Sequence, residues 1–558
     1  MNIMASSIRK RLIMDIKKVI ENITVDVNKV ADPALRATMS QLLNIIEFFA
    51  EENQTLKEEN QRLRDENNRL KGEQGKPDIR KQTKANEDVS SEQERKKKKS
   101  KKNKKSKKKN KLTVNRTEHC RLDKNQLPLD VIFKGYQDVI VQDIVIKPDN
   151  IKFKKAIYYS PSLKKTFIAP LPAGYTGEFG PHVRTLILSL YNKSKMTESA
   201  ILDFLTDQGI FISMGTISNI LINNHDVFHR EKEDVVRAGL QSTVYQQMDD
   251  TGARVKGKNY YAHVLCNEFY TAYFTRRHKD RLTILGILSQ NQLEFSFSEQ
   301  AFALMKEMNL PAKTFAYLVE TMTNQHLDQQ GMNKLLIRLF PDPQTHHTTR
   351  LVIVESTAIA AYRASEQAVK LLLTDDAPQY NKITEHHPLC WVHDGRHYKK
   401  LSPVMLTNRE KLETFVSRYW EYYDKLLAYK SAPTLAMAET LSNEFDYLFS
   451  TKTEYEKLDQ RIAKTKENKD QLLLVLRYPM IPLHNNDSEL GARDQGRRRD
   501  ISFHTMSVAG TEAKDTFMTL AQTAKKMTVN FYHYLLDRMH QTYEMPSLAE
   551  LITRKSLA

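Results

Sequence analysis

Three short acidic segments carry the chemistry that can be read from this chain. Met248-Asp249-Asp250-Thr251 closes a run, Val244 to Asp249, that alternates as a strand does. Leu371-Leu372-Leu373-Thr374 reads as a buried strand delivering Asp375 at its carboxyl end, where the ligand sites of α/β sheets collect. His484-Asn485-Asn486-Asp487-Ser488-Glu489 places Glu489 one turn into a helix, behind a cap at Asn486 or Asp487. Taken singly, each Asp is more often a turn or cap residue. Brought together from three elements, Asp249, Asp375 and Glu489 form a ligand set for two Mg2+ ions, with Mn2+ as a substitute. Two such cations about 4 Å apart promote in-line phosphoryl transfer. Magnesium keeps coordination sites open for water and phosphate.

The elements that must position these acids follow from the surrounding pattern. A polar turn over Gly252 to Lys258 leads into two further strand-like runs, Tyr260 to Leu265 and Phe269 to Phe274. Three consecutive strands with Asp249 on the first form the opening meander of an RNase H-like sheet. Arg493 and Arg497 fall four and eight residues after Glu489, on one helix face, with Arg498 and Arg499 adjacent. Basic groups there would hold a nucleic-acid backbone; the plainer reading of Arg498 and Arg499 is a solvated charged surface. Cys390-Trp391-Val392-His393-Asp394-Gly395-Arg396-His397 spaces a thiol and two imidazoles at helical intervals, a possible zinc set that lacks a clear fourth ligand. A packed Trp and a polar helix face near the acids is the preferred reading.

Charge points to the same partner. The net charge is +17 over 558 residues, and the stretch from Lys71 to Asn125 holds 21 Lys or Arg against 8 Asp or Glu. This lysine tract, including Lys97 and Lys102, is low in complexity, is expected to be disordered and favours polyphosphates through counterion release. The plainer alternative is a solubilising spacer. Three widely spaced cysteines offer no disulfide framework and no paired zinc knuckle. No apolar run approaches the roughly 20 residues of a membrane span, and the first residues lack an apolar signal core. A cytoplasmic, nucleoid-associated protein without a membrane partner is expected.

Residues 35 to 70 keep an unbroken heptad. Leu35, Leu42, Phe49, Leu56, Leu63 and Leu70 occupy one seam position, and Met39, Ile46, Asn53, Asn60 and Asn67 the other. Leucine at d with asparagine at a describes a parallel two-stranded coiled coil, hence a homodimer or higher assembly. The alternative is a lone amphipathic helix packed on the body. Val139 to Val141, Ile144 to Ile146 and Ala156 to Tyr159 suggest a small β module. Met196 to Leu205, a turn at Gly209, and Ile212 to Ile222 have the spacing of a helix-turn-helix whose second helix would offer Ser213, Thr216 and Asn219 to a DNA groove.

The combined motifs resemble the transposases of the insertion-sequence-66 family over roughly residues 30 to 550. Asp249-Asp250-Thr251 is similar to that family's Asp-Glu-Thr. Asp375-Asp376-Ala377-Pro378-Gln379-Tyr380 is similar to its Asp-Gly-Tyr-x-x-Tyr, and Cys390-Trp391-Val392-His393 with Arg396 to its Cys-Trp-x-His and following arginines. Asn485-Asn486-Asp487-Ser488-Glu489 with Arg493 is similar to its Asn-Asn-x-x-Glu and the Arg four residues on, and Thr523-Ala524-Lys525 with Tyr534-Leu535 to its C-terminal tail. The chain departs from the family in having only Cys120 where paired cysteines are usual, His484 for Asp, Asp250 for Glu and Asp376 for Gly.

The resemblance implies a transposase that binds terminal inverted repeats in double-stranded DNA, cuts at their ends and joins them to target DNA. Water and then a 3′-hydroxyl would serve as nucleophiles. Asp249, Asp375 and Glu489 would hold the metals, His393, Arg396, Arg493, Arg497 and Arg498 the DNA, and accessory proteins are possible partners. The expected fold is an α/β RNase H-like catalytic core, a mixed sheet with helical insertions, over 233–520, with inserts near 293–350 and 411–477. It is preceded by a helical region with the coiled coil (1–75), a lysine-rich linker (76–125), a small zinc-free β module (126–180) and the helix-turn-helix (181–232). A helical tail (521–558) follows. Rival readings are an RNase H-like nuclease that does not join ends, and a DNA-binding protein that has lost catalysis.

Overall fold

The computed structural model describes residues 30–70, 113–120, 122 and 132–557; Lys97, Lys102 and most of the lysine tract lie outside the described residues. The heptad segment is one helix, α1 (Pro33–Leu70). It touches the body through the side opposite its leucine seam. Glu47 is buried, and its carboxylate accepts the backbone N–H groups of Val404 and Met405 and the Asn408 amide. Asn44 and Glu51, on the same face, bond to residues 454–457. Leu35, Leu42, Phe49, Leu56 and Leu63 of the seam stay about half exposed.

The expected β module is smaller than the sequence suggested. Only β1 (Ile157–Ser160) and β2 (Lys165–Ile168) pair, as an antiparallel hairpin. Val139 to Val141 and Ile144 to Ile146 form no strand among the described residues and are exposed. A four-residue hairpin offers too little apolar face to recruit further strands.

Three helices follow: α2 (Pro181–Asn192), α3 (Glu198–Asp207) and α4 (Met214–Ile222). Thr197 caps α3 by accepting the Ala200 N–H, and Ser213 caps α4 by accepting the Thr216 N–H. Gly209, at φ +78°, makes the turn that an L side chain would resist. Ile201, Leu205, Ile217 and Leu221 close the helix pair. Helix α5 (Asp226–Gln241) then runs straight across the boundary expected at residue 232.

The central sheet is mixed. Strands β3 (Tyr245–Val255), β4 (Lys258–Cys266) and β5 (Thr271–Arg276) form an antiparallel meander. The chain then passes through α6 (Arg281–Leu288), β6 (Phe295–Ser296), α7 (Glu299–Glu307), α8 (Ala312–Met322), β7 (His326–Leu327), α9 (Gln329–Leu339) and α10 (His347–Ala364). It returns as β8 (Leu371–Leu373), parallel to β3, giving the order β5-β4-β3-β8. The segment between α6 and α10 packs its Phe295, Phe297, Met305, Leu318 and Met332 into the main core.

Beyond β8, a 3₁₀ turn (Pro378–Tyr380) leads to α11 (Trp391–Lys399), α12 (Leu406–Ser431), α13 (Leu435–Leu448), α14 (Glu456–Glu467), α15 (Lys469–Leu472) and α16 (Leu474–Arg477). These helices bury a second, aromatic core around Trp391, Tyr419, Tyr422, Phe445 and Phe449. The insert expected from residue 411 begins with α12 at Leu406.

The chain ends in α17 (Asn486–Ser502), α18 (Val508–Lys526), α19 (Phe531–His540) and α20 (Leu548–Ser556). Helix α18 crosses the tail boundary expected at residue 520 because it belongs to the sheet. Its Asp515, Thr519 and Thr523 side chains, four residues apart, accept the N–H groups of Thr275, Tyr273 and Thr271 along β5. An open strand edge is thereby satisfied by a helix. Among the described residues no helix is long and apolar enough to cross a membrane.

Candidate active site

The three acids converge from separate elements. Gln247 on β3 pairs with Leu373 on β8, so Asp249 and Asp375 each stand two residues further along neighbouring parallel strands, at the same level. Glu489 comes from the first turn of α17, which lies across β3 and β4. Gly491 permits that approach: a Cβ there would stand 2.6 Å from the Val264 side chain. The Tyr273 hydroxyl donates to the Gly491 carbonyl at 3.2 Å and holds the helix down.

The helix starts as expected but is capped differently. Asn485, not Asn486 or Asp487, is its N-cap, and no side chain makes a cap bond. Asn485 is fully buried, and both of its amide atoms lack a hydrogen-bond partner among the described residues.

The electrostatics separate the members of each acidic pair. Asp249 accepts one bond, from the Asp250 N–H at 2.8 Å. Burial pushes its carboxyl up to about 7, with Asp375, Glu489 and Asp250 adding repulsion. Asp250 is occupied instead: Gln379 donates to it at 3.0 Å, the Tyr380 hydroxyl at 3.5 Å, and Lys279 lies at 3.6 Å. Asp375 accepts the Ala377 N–H at 3.2 Å, and burial raises its carboxyl against the pull of His393. Asp376 turns away to His397, which holds its carboxyl down at about 2. Asp249 and Asp375 are therefore the free carboxylates, and their neighbours in sequence are anchors.

Glu489 is nearly buried and already engaged. Arg396 donates to both of its oxygens, at 2.8 and 3.1 Å, and His393 Nε2 and Arg493 lie at 3.5 Å. Arg396 and His393 thus sit against the third acid. Burial holds the His393 imidazole below its ordinary range. Among the described residues no group of three or more His, Cys, Asp or Glu stands at metal-binding spacing. Asp249 and Asp375 still suit a hard divalent cation, because each buried carboxylate accepts only a backbone N–H, whereas Glu489 would have to be released by Arg396.

The remaining expected residues divide. Arg493 and Arg497 are exposed on α17 beyond Glu489. Arg498, expected on the DNA side, is buried. It stacks on the Tyr191 ring at 3.5 Å and donates to the Tyr191 carbonyl, fastening α17 to α2. Helical phase explains this, since Arg498 follows the exposed Arg497 by about 100° of rotation. Ser213 and Asn219 are exposed on α4 and Thr216 half-buried, although Ser213 is committed to its cap. Cys390 is buried, accepts the Asn485 N–H at 3.4 Å and has its thiol pushed up to about 12, while Trp391 donates to the Leu472 carbonyl in the aromatic core. That segment is packing with Arg396 and His393 on its open side.

Sequence reasoning missed Lys279 and Gln379, which fix Asp250, and Asp515, Thr519 and Thr523, which hold the sheet edge. The i, i+4, i+8 spacing of small polar residues on an otherwise buried helix was the available signal for the latter.

Compared with known proteins, the chain is similar to the uncharacterized protein y4jO of Sinorhizobium fredii (strain NBRC 101917 / NGR234). The two are 30% identical over 305 residues, covering 55% of this chain and 94% of that protein. No family model matches.

Proposed function

The chain belongs to the same family as the Sinorhizobium fredii protein y4jO, and from the arrangement of its acids and its motifs we propose that it is a DNA transposase with an RNase H-like catalytic core. The observation that carries the reading is the meeting of Asp249, Asp375 and Glu489 where β8 ends beside the middle of β3, with Asp249 and Asp375 kept short of donors. Two divalent cations, when bound by these three side chains, would supply activation of the attacking oxygen and stabilisation of the leaving one. The chain's own residues do the rest. Asp250, midway along β3, and Asp376, just past β8, hold the backbone beside the acids through Gln379, Lys279 and His397. Arg396, in releasing Glu489, is placed to take a phosphate instead. Arg493 and Arg497 extend that basic track along α17.

The helix-turn-helix is assigned to terminal-repeat recognition through Thr216 and Asn219. The exposed seam of α1 is assigned to a second copy, because its opposite face is already satisfied by the body while the leucines are not. Leu42→Lys with Leu56→Lys should return the assembly to monomer mass in sedimentation.

Strand cleavage and joining on labelled duplexes carrying the gene's flanking repeats, in Mg2+ or Mn2+, tests the reading. Cutting and joining, both lost in Glu489→Gln, is the expected result. Cutting without joining would replace it with a nuclease, and repeat-specific binding with neither would replace it with a binder that has lost catalysis.

A further inference from the structure

The segment after α17 bends through a γ-turn and carries an exposed aromatic side chain. Phe503 sits at φ +53° and ψ −70°, and the His504 N–H closes the turn on the Ser502 carbonyl at 2.7 Å. This conformation is disfavoured for any residue with a side chain. Its surroundings impose it. The Phe503 N–H donates to Arg499, and Thr505 is stitched to the end of β3 by bonds with Arg254 and Lys256. Arg499 donates to the Gly252 carbonyl at 2.6 Å. The result is a fixed ridge on which Phe503, Met506 and Val508 are 73%, 69% and 76% exposed.

The ridge is also basic. Segments 252–258 and 497–508 present Arg254, Lys256, Lys258, Arg497 and Arg499, partly or fully exposed, against one acid, Asp500. It abuts the helix-turn-helix at its other end, where Ile222 of α4 lies beside Gly510. Charge complementarity selects a polyanion, and a rigidly projected aromatic ring among cations selects one with flat, unpaired faces. We propose that this ridge is a DNA-distortion site, in which Phe503 stacks on an unpaired base while the arginines and lysines hold the flanking phosphates. It rests on the transposase reading and assigns a separate role to residues away from the acids. From Asp249 to Val255 the strand runs six residues, about 20 Å.

The test is fluorescence anisotropy with the full chain in EDTA, so that no cleavage intervenes. The probes are a plain duplex and the same duplex with a short central bubble. The wild type should prefer the bubble by about tenfold. Phe503→Ala should bind the plain duplex as the wild type does and lose the preference, and Phe503→Trp should keep it. Lys256→Glu and Arg497→Glu should each weaken both probes and flatten the salt dependence. A bubble preference unchanged in Phe503→Ala, or absent from the wild type, overturns the inference and leaves the transposase reading standing. A change in oligomeric mass in Phe503→Ala, with bubble binding intact, overturns it in favour of a contact between copies. No binding to either probe overturns both readings together.

Discussion

Asp394 and Asp249 are both carboxylates withdrawn from water, and the fold treats them in opposite ways. Asp394, on α11, accepts bonds from Arg461, from the Thr465 hydroxyl at 2.9 Å and from the Tyr419 hydroxyl at 3.1 Å. Burial raises its carboxyl, and Arg461 pulls it back down. Asp249 receives one backbone N–H and is repelled by three further acids, Asp375, Glu489 and Asp250. A carboxylate that builds the fold is surrounded with donors. One that is starved of donors and set among its own kind keeps the capacity to bind a cation. The surroundings of Asp394 are finished as a structure, and on the proposed reading the site beside it takes a cation.

The largest expected effect tests the unfinished side. Glu489→Gln should lower metal-dependent strand cleavage by about a thousandfold or more, since one ligand to the metals and its charge are lost together. Residual cleavage within tenfold of the wild type would remove Glu489 from the site. On the finished side, Asp394→Ala should lower stability by about 3 kcal/mol, because it leaves Arg461 buried without its partner. Chemical denaturation reads this directly. A variant as stable as the wild type would erase the contrast between the two carboxylates.

Arg396 links the two regions, since it extends from the same helix as Asp394 to Glu489. Arg396→Ala should lower the stability of the metal-free protein by about 2 kcal/mol, less than a fully buried pair because the arginine is partly open to water. It should also enlarge the rise in melting temperature produced by Mn2+, because the metal no longer competes with the guanidinium. An unchanged Mn2+ response would mean that Arg396 does not stand in the metals' way.

The parts of this molecule that were legible in the sequence are those whose signal is local. The meander from Tyr245 to Arg276 showed its alternation, the Leu371 to Leu373 run its burial, and α1 its heptad. The acids could be named because each interrupts an apolar run, although the strand expected to close at Asp249 continues to Val255. What escaped was long-range. The turn-forming polar residues near Asp250 gave no sign that Gln379, 129 residues away, would claim it. Arg498 reads like Arg497 until Tyr191 is known to lie beneath it. The β runs at 139–146 had strand composition but no partner face among the described residues, and propensity without packing does not make a strand.

The last expected effect, no larger than that of Arg396→Ala, is the one most specific to the comparison, because its sign is opposite to that of Asp394→Ala. The folded-state carboxyl of Asp249 lies at about 7, above the 3.8 of an unperturbed aspartate. The folded chain therefore binds this proton more tightly than the unfolded one. Stability contributed by the protonated form is fully present below pH 3.8 and is lost as the pH rises through about 7. Asp249→Asn removes the titration and keeps the shape. At pH 8, without metal, it should stabilise the protein by about 2 kcal/mol, with the gain shrinking as the pH falls and vanishing near 4. Adding Mg2+ at pH 8 should reverse the order, since only the wild type keeps the carboxylate that the cation neutralises. Denaturation curves at pH 4, 6 and 8, with and without Mg2+, read all three. A variant less stable than the wild type at pH 8 would place Asp249 with Asp394, as a carboxylate the fold already satisfies.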